Sequence, residues 1–263
     1  MLNILLIILA VYGLLAAYLY FSQNSQVFHP PKGHSQTPKD WGMEYETVLL
    51  QSDGQTLTNW WIPGDDDGLT VLFFHGNATN ISETYEYVRM FHSLGLSVFL
   101  LEYRGYGLSE GRPTEEGTKA DAEAAWHYLI DKKKLIGSQI IFYGHSLGGG
   151  VATGLAIKHP PAKLIIEGTF TSVPDVAADI YPYLPVRLMA HIHFPNLERI
   201  KQIEVPKLLI HSIEDEIIPY SHGEKLFAAA SQPKTFYQAH GSHHEGFITS
   251  GAKSKEVLQN FIF

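Results

Sequence analysis

Short apolar runs alternate with longer stretches of helical periodicity from about residue 70 to the end of the chain. The runs have the length of buried strands, and the stretches between them have the spacing of amphipathic helices. The predicted strands are Val71–Phe74, Leu96–Leu101, Ile140–Tyr143, Lys163–Ile166, Lys207–Ile210 and Thr235–Tyr237. The predicted helices are Ser82–Leu94, Thr114–Ile130, Leu147–Lys158, Ser221–Ala230 and Lys253–Phe261. This alternation predicts an α/β fold with a mostly parallel central sheet and helices on both faces.

Two further strands, Glu44–Leu50 and Gln55–Ile62, precede this alternation and flank Asp53-Gly54, a dipeptide typical of hairpin turns. We therefore expect one domain over residues 44–263, an ordinary length for an α/β fold. The predicted strands ending at Ile166 and starting at Lys207 are separated by a Pro-, Tyr- and His-rich interval that is long for a simple connection. Such insertions often cover active sites, so we expect a short lid at about residues 168–200.

The N-terminal stretch Leu2–Phe21 is almost wholly apolar and carries no charge. It matches the ~20 residues that a helix needs to cross a bilayer. A cleaved signal peptide ordinarily has a basic start and a small-residue cleavage site. A buried core helix ordinarily has a polar face. The stretch Leu2–Phe21 has no basic start, no small-residue cleavage site and no polar face. We predict an uncleaved transmembrane anchor over residues 1–21, without a charge bias that sets its orientation, and an extended linker over residues 22–43.

Composition narrows the possible partners. Lys and Arg total 19 against 27 for Asp and Glu, and this net charge of −8 disfavours a nucleic-acid partner. The basic run Lys132-Lys133-Lys134 follows a predicted helix and is interpreted as a solvated C-terminal turn. The chain has no cysteine, which excludes disulfides and a thiol nucleophile.

Known cofactor motifs are missing from the sequence. Neither a glycine-rich nucleotide motif nor a spaced metal-binding motif is present, although the 14 histidines include His191-x-His193 and the group His240, His243 and His244. No cofactor and no metal site are therefore predicted, and the sequence indicates no particular protein partner.

The clearest chemical signal is the segment Gly144-His145-Ser146-Leu147-Gly148, between a predicted strand and a predicted helix. In this setting the serine occupies a strained strand-to-helix turn, where larger neighbours would collide. The turn raises the hydroxyl above the sheet edge, and the helix N-terminus favours developing negative charge. A glycine-rich turn without chemistry is the alternative, but the strand–turn–helix context favours Ser146 as a nucleophile.

A serine hydroxyl requires a base to take its proton and an acid to orient that base. Candidate acids and bases follow two later strands in the chain order typical of this turn: Glu214, Asp215 and Glu216, then His240, His243 and His244. Asp215 is the predicted acid, and Glu214 and Glu216 are interpreted as solvated loop charges. Spacing alone does not separate the three histidines.

An oxyanion hole of two backbone N–H groups is expected beside the serine. Leu147, the residue after the serine, supplies one of them. Asn77 is the candidate for the second, because His75-Gly76-Asn77 follows a predicted strand. An ordinary strand-end turn is the alternative interpretation of this segment.

Taken in order, these motifs resemble the α/β-hydrolase superfamily, in particular its short-lidded, often membrane-anchored branch. That branch includes serine-aminopeptidase-like hydrolases, lysophospholipases and protein depalmitoylases. The resemblance rests on seven ordered segments: Asp53-Gly54, Phe74-His75-Gly76-Asn77-Ala78, the loop from Tyr103 to Pro113, Gly144 to Gly149, Phe170-Thr171-Ser172, His211 to Pro219 and Gly241-Ser242-His243. They cover the chain from about residue 44 to its end.

The resemblance implies an α/β-hydrolase fold and a triad of Ser146, Asp215 and His243, because the family places its histidine after Gly-x. It also implies that the loop with Arg104 and Tyr106 shapes the site. His75, Gly76 and His145 flank the predicted chemical groups and are expected to shape the site as well. Two residues depart from the family pattern, Ser212 in place of Gly and His244 in place of Asn, and neither removes a catalytic group.

The activity expected from these features is hydrolysis of a carboxylic ester or thioester through an acyl-enzyme on Ser146. A membrane anchor favours a lipid-like acyl substrate, because it would hold the site near the bilayer. The first alternative is a serine-aminopeptidase-like peptidase, for which the sequence identifies no carboxylate to grip a free amine. The second is a non-catalytic binding protein on a hydrolase fold, which retention of all three triad residues disfavours.

Overall fold

The computed structural model describes residues 2–65, 68–244 and 246–263. Within them, eight strands form one sheet in the order β1-β2-β4-β3-β5-β6-β7-β8. The strands are β1 Glu46–Ser52, β2 Gln55–Ile62, β3 Thr70–Phe74, β4 Ser97–Leu101, β5 Ile140–His145, β6 Lys163–Glu167, β7 Lys207–Ser212 and β8 Lys234–Ala239. β1 and β2 form an antiparallel hairpin, β2 pairs antiparallel with β4, and the strands from β4 to β8 pair in parallel. This topology confirms the predicted α/β class and its mostly parallel sheet.

The helices of the described residues are α1 Leu2–Phe21, α2 Gln23–Val27, α3 Tyr85–His92, α4 Glu115–Asp131, α5 Leu147–Lys158, α6 Val173–Ile180, α7 Val186–Met189, α8 Asn196–Arg199, α9 Tyr220–Ala229 and α10 Ala252–Ile262. Short 3₁₀ turns occur at Ile81–Glu83, Gly137–Gln139 and Ile248–Ser250. The helix predicted over Ser82–Leu94 is therefore shorter than expected. The Thr84 hydroxyl donates to the Ile81 carbonyl oxygen and closes the first 3₁₀ turn before α3 begins.

The central strands are buried on both faces, which explains why they read as continuous apolar runs. In β3, Leu72 and Phe74 join one core cluster, whereas Val71 and Phe73 join a second cluster on the opposite face. Successive side chains of a strand point to opposite faces, so one short segment contributes to both cores. Because the strands from β4 to β8 are parallel, they all end at the same edge of the sheet. The loops that follow β3, β5, β6, β7 and β8 meet at this edge.

The hairpin turn lies where the sequence predicted it. Asp53 and Gly54 both adopt a left-handed conformation, with φ of 47° and 76°. Two successive residues of positive φ form the tight turn that matches the twist of antiparallel strands. The first strand runs two residues further than expected and reaches this turn directly.

Three short helices, α6, α7 and α8, lie between β6 and β7. They occupy the interval of the predicted lid, and we refer to residues 168–200 as the lid segment. Its base is tied to the domain through α9, because the ring nitrogens of His222 contact Asp179 at 2.9 Å and the Thr171 hydroxyl at 2.9 Å.

The chain before the sheet is more ordered than an extended linker. Helix α1 is exposed apart from the buried Leu19 and the half-buried Ala16, and in the described part of the chain it is the one helix long and apolar enough to cross a membrane. After it comes the short helix α2, and the following Phe28 is buried, with its ring 6.4 Å from that of Phe194 in the lid segment. His34 then contacts the buried Glu102 at 2.9 Å. Burial of the Phe28 ring holds this part of the predicted extended linker, residues 22–43, against the domain.

Candidate active site

Ser146 lies between the end of β5 and the start of α5, as its sequence context predicted. Its φ of 53° and ψ of −118° are strained for a residue with a side chain. The flanking glycines permit this turn. A Cβ on Gly148 would overlap the Phe74 carbonyl, and a Cβ on Gly144 would lie 2.5 Å from the Gly148 carbonyl oxygen.

The backbone of Ser146 is fixed from the neighbouring strand. Its N–H donates to the Glu167 carbonyl oxygen at 2.8 Å, and its carbonyl oxygen accepts from the Thr169 hydroxyl at 2.7 Å. Thr169 was not among the predicted site residues, because its contact to Ser146 depends on the β5–β6 register. These bonds hold the strained turn in a single geometry.

Asp215, His243 and Ser146 form a hydrogen-bonded series. The Ser146 hydroxyl lies 2.8 Å from His243 Nε2, and His243 Nδ1 lies 2.7 Å from Asp215 Oδ2. With the proton on Nδ1, the imidazole donates to Asp215 and accepts from Ser146. The side chains of Asp215 and His243 are each 1% exposed, so water does not compete for these bonds.

The carboxylate of Asp215 accepts hydrogen bonds from the backbone as well as from His243. Its Oδ1 accepts from the N–H groups of Ile217 and Ile218 at 3.0 and 2.7 Å. Burial alone would raise the pKa of Asp215, but the hydrogen bonds from His243 and from this backbone outweigh it and lower the pKa. The group is therefore a carboxylate at neutral pH.

The rival residues have other positions. His240 is exposed and pairs with Glu214 at 3.2 Å. Glu214 and Glu216 accept hydrogen bonds from the N–H groups of Gly241 and His243, at 2.8 and 3.1 Å. The two glutamates are thus more than the solvated loop charges expected, because they fix the backbone of the loop that carries His243.

The two predicted oxyanion-hole residues both border the cavity above Ser146. Leu147 is the first residue of α5, where a helix N–H has no partner within the helix. Within the described residues, the backbone N–H groups of Asn77 and Leu147 donate to no protein acceptor. The Asn77 side chain donates to the Val27 carbonyl oxygen at 2.7 Å, which joins this loop to the end of α2.

Gly76 and His145 lie directly beside the serine. A Cβ on Gly76 would be 3.2 Å from His145 Nδ1 and 3.4 Å from Ser146 Cβ. His145 donates from Nε2 to the His243 carbonyl oxygen at 3.2 Å, and it therefore supports the histidine loop. Burial, followed by the charge of His243, lowers the pKa of His145 to about 3, so its ring stays neutral.

The other predicted site-shaping residues lie one layer away from the cavity. His75 donates from Nδ1 to the Gly76 carbonyl oxygen at 2.7 Å, and its ring packs 5.1 Å from that of Tyr106. The Arg104 guanidinium points in another direction and binds the buried Asp121 at 2.7 Å and the Ser52 hydroxyl at 2.9 Å. Arg104 therefore joins its loop to α4 and the hairpin, and the structure does not bring it to Ser146.

Glu167 is a buried carboxyl beside the serine that sequence reasoning missed. Its Oε2 accepts from the hydroxyls of Tyr143 and Tyr87 at 2.5 and 3.0 Å. Burial raises the pKa of Glu167 to about 7 despite these hydrogen bonds. No motif in the sequence marks it, because it is simply the last residue of an apolar strand.

A cavity of about 290 Å³ lies above Ser146, close to the lower end of the range for small-molecule sites. Its floor carries Ser146, His243 and the loop at Asn77. Its roof is apolar and consists of side chains of α2 and the lid segment, among them Val27, Val173, Val176, Ala177 and Ile180. In the described part of the chain, no three His, Asp or Glu side chains are grouped closely enough to hold a metal ion.

Comparison with known proteins agrees with this architecture. A family model described as alpha/beta hydrolase fold matches residues 70–186. The chain is 34% identical to the alpha/beta hydrolase domain-containing protein WAV2 of Arabidopsis thaliana, over 93% of this chain and 87% of that protein. It is 33% identical to the uncharacterized membrane protein YNL320W of Saccharomyces cerevisiae, over 94% and 90% of the two chains.

Among solved structures, the esterase Pf2001 of Pyrococcus furiosus superposes with a TM-score of 0.73 at 19% identity, over 90% of this chain and 96% of that one. At 19% identity, this structural similarity shows a shared fold and nothing further. The similarity to these two relatives extends over nearly the whole length of both chains. The chain therefore belongs to the α/β-hydrolase superfamily, and this membership supports hydrolase activity.

Proposed function

We propose that this protein is a serine hydrolase that cleaves a carboxylic ester or thioester through an acyl-enzyme on Ser146. The observation that carries the proposal is the hydrogen-bonded series from Asp215 through His243 to Ser146, at the floor of a cavity. A nucleophile, a base and a group that orients the base are the three parts that acyl transfer requires.

In the first half of the reaction, the Ser146 oxygen attacks the substrate carbonyl carbon while His243 Nε2 takes the hydroxyl proton. The Asp215 carboxylate stabilises the resulting imidazolium through Nδ1. The tetrahedral oxyanion accepts from the N–H groups of Asn77 and Leu147, two residues that line the cavity and whose N–H groups have no other acceptor among the described residues. The imidazolium then gives its proton to the leaving oxygen or sulfur.

In the second half, water enters and His243 takes a proton from it. The hydroxide attacks the acyl carbon, and the Ser146 oxygen leaves with the proton returned by His243. His145 and Glu216 hold the backbone of the histidine loop during both halves and are positioning residues in this scheme.

The apolar roof of the cavity supports an acyl substrate. Helix α1 meets the length and hydropathy of a membrane span, and the similar yeast protein is named a membrane protein. We infer that α1 anchors the domain to a membrane and that the lid segment covers the site. The residues described around the cavity include no Asp or Glu, which disfavours the aminopeptidase alternative, since an ammonium group would lack an anionic partner there.

A fluorophosphonate probe tests the proposal, because it reacts with an activated serine. We expect labelling of the wild-type protein and none of Ser146→Ala or His243→Ala. Ser242→Ala and His240→Ala are matched controls, since both alter exposed residues of the same loop and should label normally. A folded wild-type protein that fails to label would contradict the proposal and favour a binding function.

The class of substrate is tested by a panel of acyl esters, acyl thioesters and aminoacyl amides. We expect turnover of the esters or thioesters, lost in Ser146→Ala. Rapid cleavage of the aminoacyl amides alone would instead support the peptidase alternative.

A further inference from the structure

A second, smaller cavity of about 80 Å³ adjoins the one above Ser146. We call it the distal cavity. The two cavities share five lining residues: Gln26, Val27, Val173, Ala177 and Tyr181. Side chains of α2 and α6 therefore border both cavities, and we refer to the two cavities together as the groove.

The distal cavity lies between the N-terminal helices and the lid segment. Leu19 and Gln23 form one wall, and Val186, Met189 and Ala190 form the other. The Gln23 side chain is used in joining these walls, because Nε2 donates to the Met189 carbonyl oxygen and Oε1 accepts from the His191 N–H, both at 2.9 Å. Its polar atoms are therefore satisfied, and the groove offers mainly apolar surface.

The lining also lacks charge. Among the described residues of the two cavities there is no Asp, Glu, Lys or Arg, and the histidines of the lining lie at the serine end. A narrow groove without charged groups favours an unbranched hydrocarbon chain over a polar head group or a peptide.

The distal end of the groove lies next to apolar surface. Helix α1 exposes apolar side chains along its length, and the Tyr12 hydroxyl on it donates to the Tyr183 carbonyl oxygen at 3.2 Å. In the same part of the lid segment, Tyr183 and Leu188 are 90% and 89% exposed. A contiguous apolar surface of this kind is typical of contact with a membrane.

We propose that the groove between α2 and the lid segment is a subsite for the acyl chain of a bilayer-resident ester or thioester. The chain enters from the α1 end, and its carbonyl reaches Ser146. The end of the anchor helix is then a wall of the binding site as well as a tether. This inference rests on the proposed hydrolase function and adds the route and the chain-length dependence of the substrate.

Chain-length profiles test the groove. Full-length wild type, Ala190→Trp and the control Ala228→Trp, whose site on α9 is exposed, would be assayed in lipid vesicles with butanoyl and hexadecanoyl esters of p-nitrophenol. We expect Ala190→Trp to lower the ratio of kcat/KM for the long over the short ester by about tenfold or more, because each methylene that loses apolar contact costs about fourfold. An unchanged ratio in folded Ala190→Trp would overturn the subsite.

A photochemical test uses the wild-type protein and does not depend on the folding of a variant. A hexadecyl fluorophosphonate with a terminal diazirine would first react at Ser146 and then be illuminated. We expect crosslinks within residues 19–27 and 186–190. Crosslinks confined to the opposite side of Gly76, around Phe73 and Ile248, would overturn the route.

The hydrolase proposal and the subsite proposal are contradicted by different outcomes of these experiments. If the wild type hydrolyses neither ester and the probe does not react at Ser146, the hydrolase proposal fails, and the subsite fails with it. If the probe reacts at Ser146 but crosslinks elsewhere, the subsite alone fails.

Discussion

The floor and the roof of the cavity above Ser146 are built in contrasting ways. On the floor, the side chains project from loops at the ends of buried parallel strands, and several hydrogen bonds fix each of them. The roof consists of the eight-residue lid helix α6, which is too short to be stable without packing, and of the α2 end. The lid segment is joined to α1 and α2 by few hydrogen bonds, notably two from the Gln23 side chain and one from the Tyr12 hydroxyl.

This contrast matches the two demands of the proposed acyl transfer. Acyl transfer requires reacting groups held within a fraction of an ångström. Entry of a long chain requires a wall that opens at low free energy, and such walls come from the less stable parts of a fold. Substitutions on the floor should therefore abolish activity or folding, whereas substitutions in the roof should change access.

The largest effect is expected from Asp215→Asn. An amide at this position can present its N–H to His243 and stabilise the wrong tautomer, so we expect a loss in kcat of about 10⁴-fold with an unchanged fold. Glu214→Gln, which alters the adjacent exposed carboxylate, should cost less than about tenfold. The measurement is ester hydrolysis beside a melting curve. Similar losses in both variants would mean that the loop as a whole, rather than Asp215, sets the rate.

The position of Ser146 between a strand and a helix could be predicted because this turn is encoded locally. Gly144 and Gly148 are required by contacts within a few residues, so the motif itself carries the geometry. The bounds of β2 and α5 agree with the predicted ones for the same reason, since each is flanked by a local turn signal. The choice of His243 over His240 depended on a family resemblance.

The remaining site residues depend on contacts between distant segments. Thr169 and Glu167 reach Ser146 through the β5–β6 register, which no local pattern records. Arg104 was expected near the site, but a buried ion pair with Asp121 directs it elsewhere. The packing of residues 22–43 likewise depends on Phe28 meeting a surface that exists only after the domain has folded.

The second prediction concerns the rigidity of the floor. Gly148→Ala would drive a Cβ into the Phe74 carbonyl, which is backbone and cannot rotate away. We expect a loss in the free energy of unfolding of about 3 kcal/mol or more. Gly154→Ala lies in the same helix and meets only the end of the Arg199 side chain, at 3.3 Å. It should be neutral or stabilising by up to ~1 kcal/mol. Equal stabilities in urea denaturation would refute the close-packing argument.

The third prediction uses pH and two buried groups beside the serine. His145 has a lowered pKa of about 3, so its contribution to stability is present above the unfolded value near 6.5 and is lost as the pH falls towards 3. Glu167 has a raised pKa of about 7, so its contribution is present below the unfolded value near 4.5 and is lost as the pH rises through 7. The pH dependences that His145 and Glu167 give to the stability of this turn therefore have opposite signs.

Glu167→Gln separates them, because the amide oxygen can still accept from both tyrosines but does not ionise. We expect the loss of unfolding free energy between pH 5 and pH 8 to shrink by on the order of 2 kcal/mol relative to wild type. Glu256→Gln, an exposed control on α10, should leave this pH dependence unchanged. Parallel stability curves for wild type and Glu167→Gln would show that Glu167 is ionised in the folded state at pH 5 already.

The smallest effect is expected in the roof. Gln23→Ala removes two hydrogen bonds between α2 and the lid segment, each worth about 1 kcal/mol locally, while the sheet and its core are untouched. We expect backbone hydrogen exchange over residues 186–191 to accelerate about fivefold or more, with an almost unchanged melting temperature. Gln259→Ala on α10 serves as the control. If exchange over these residues stays at the wild-type rate, the roof is as firmly held as the floor, and chain entry then requires an opening elsewhere.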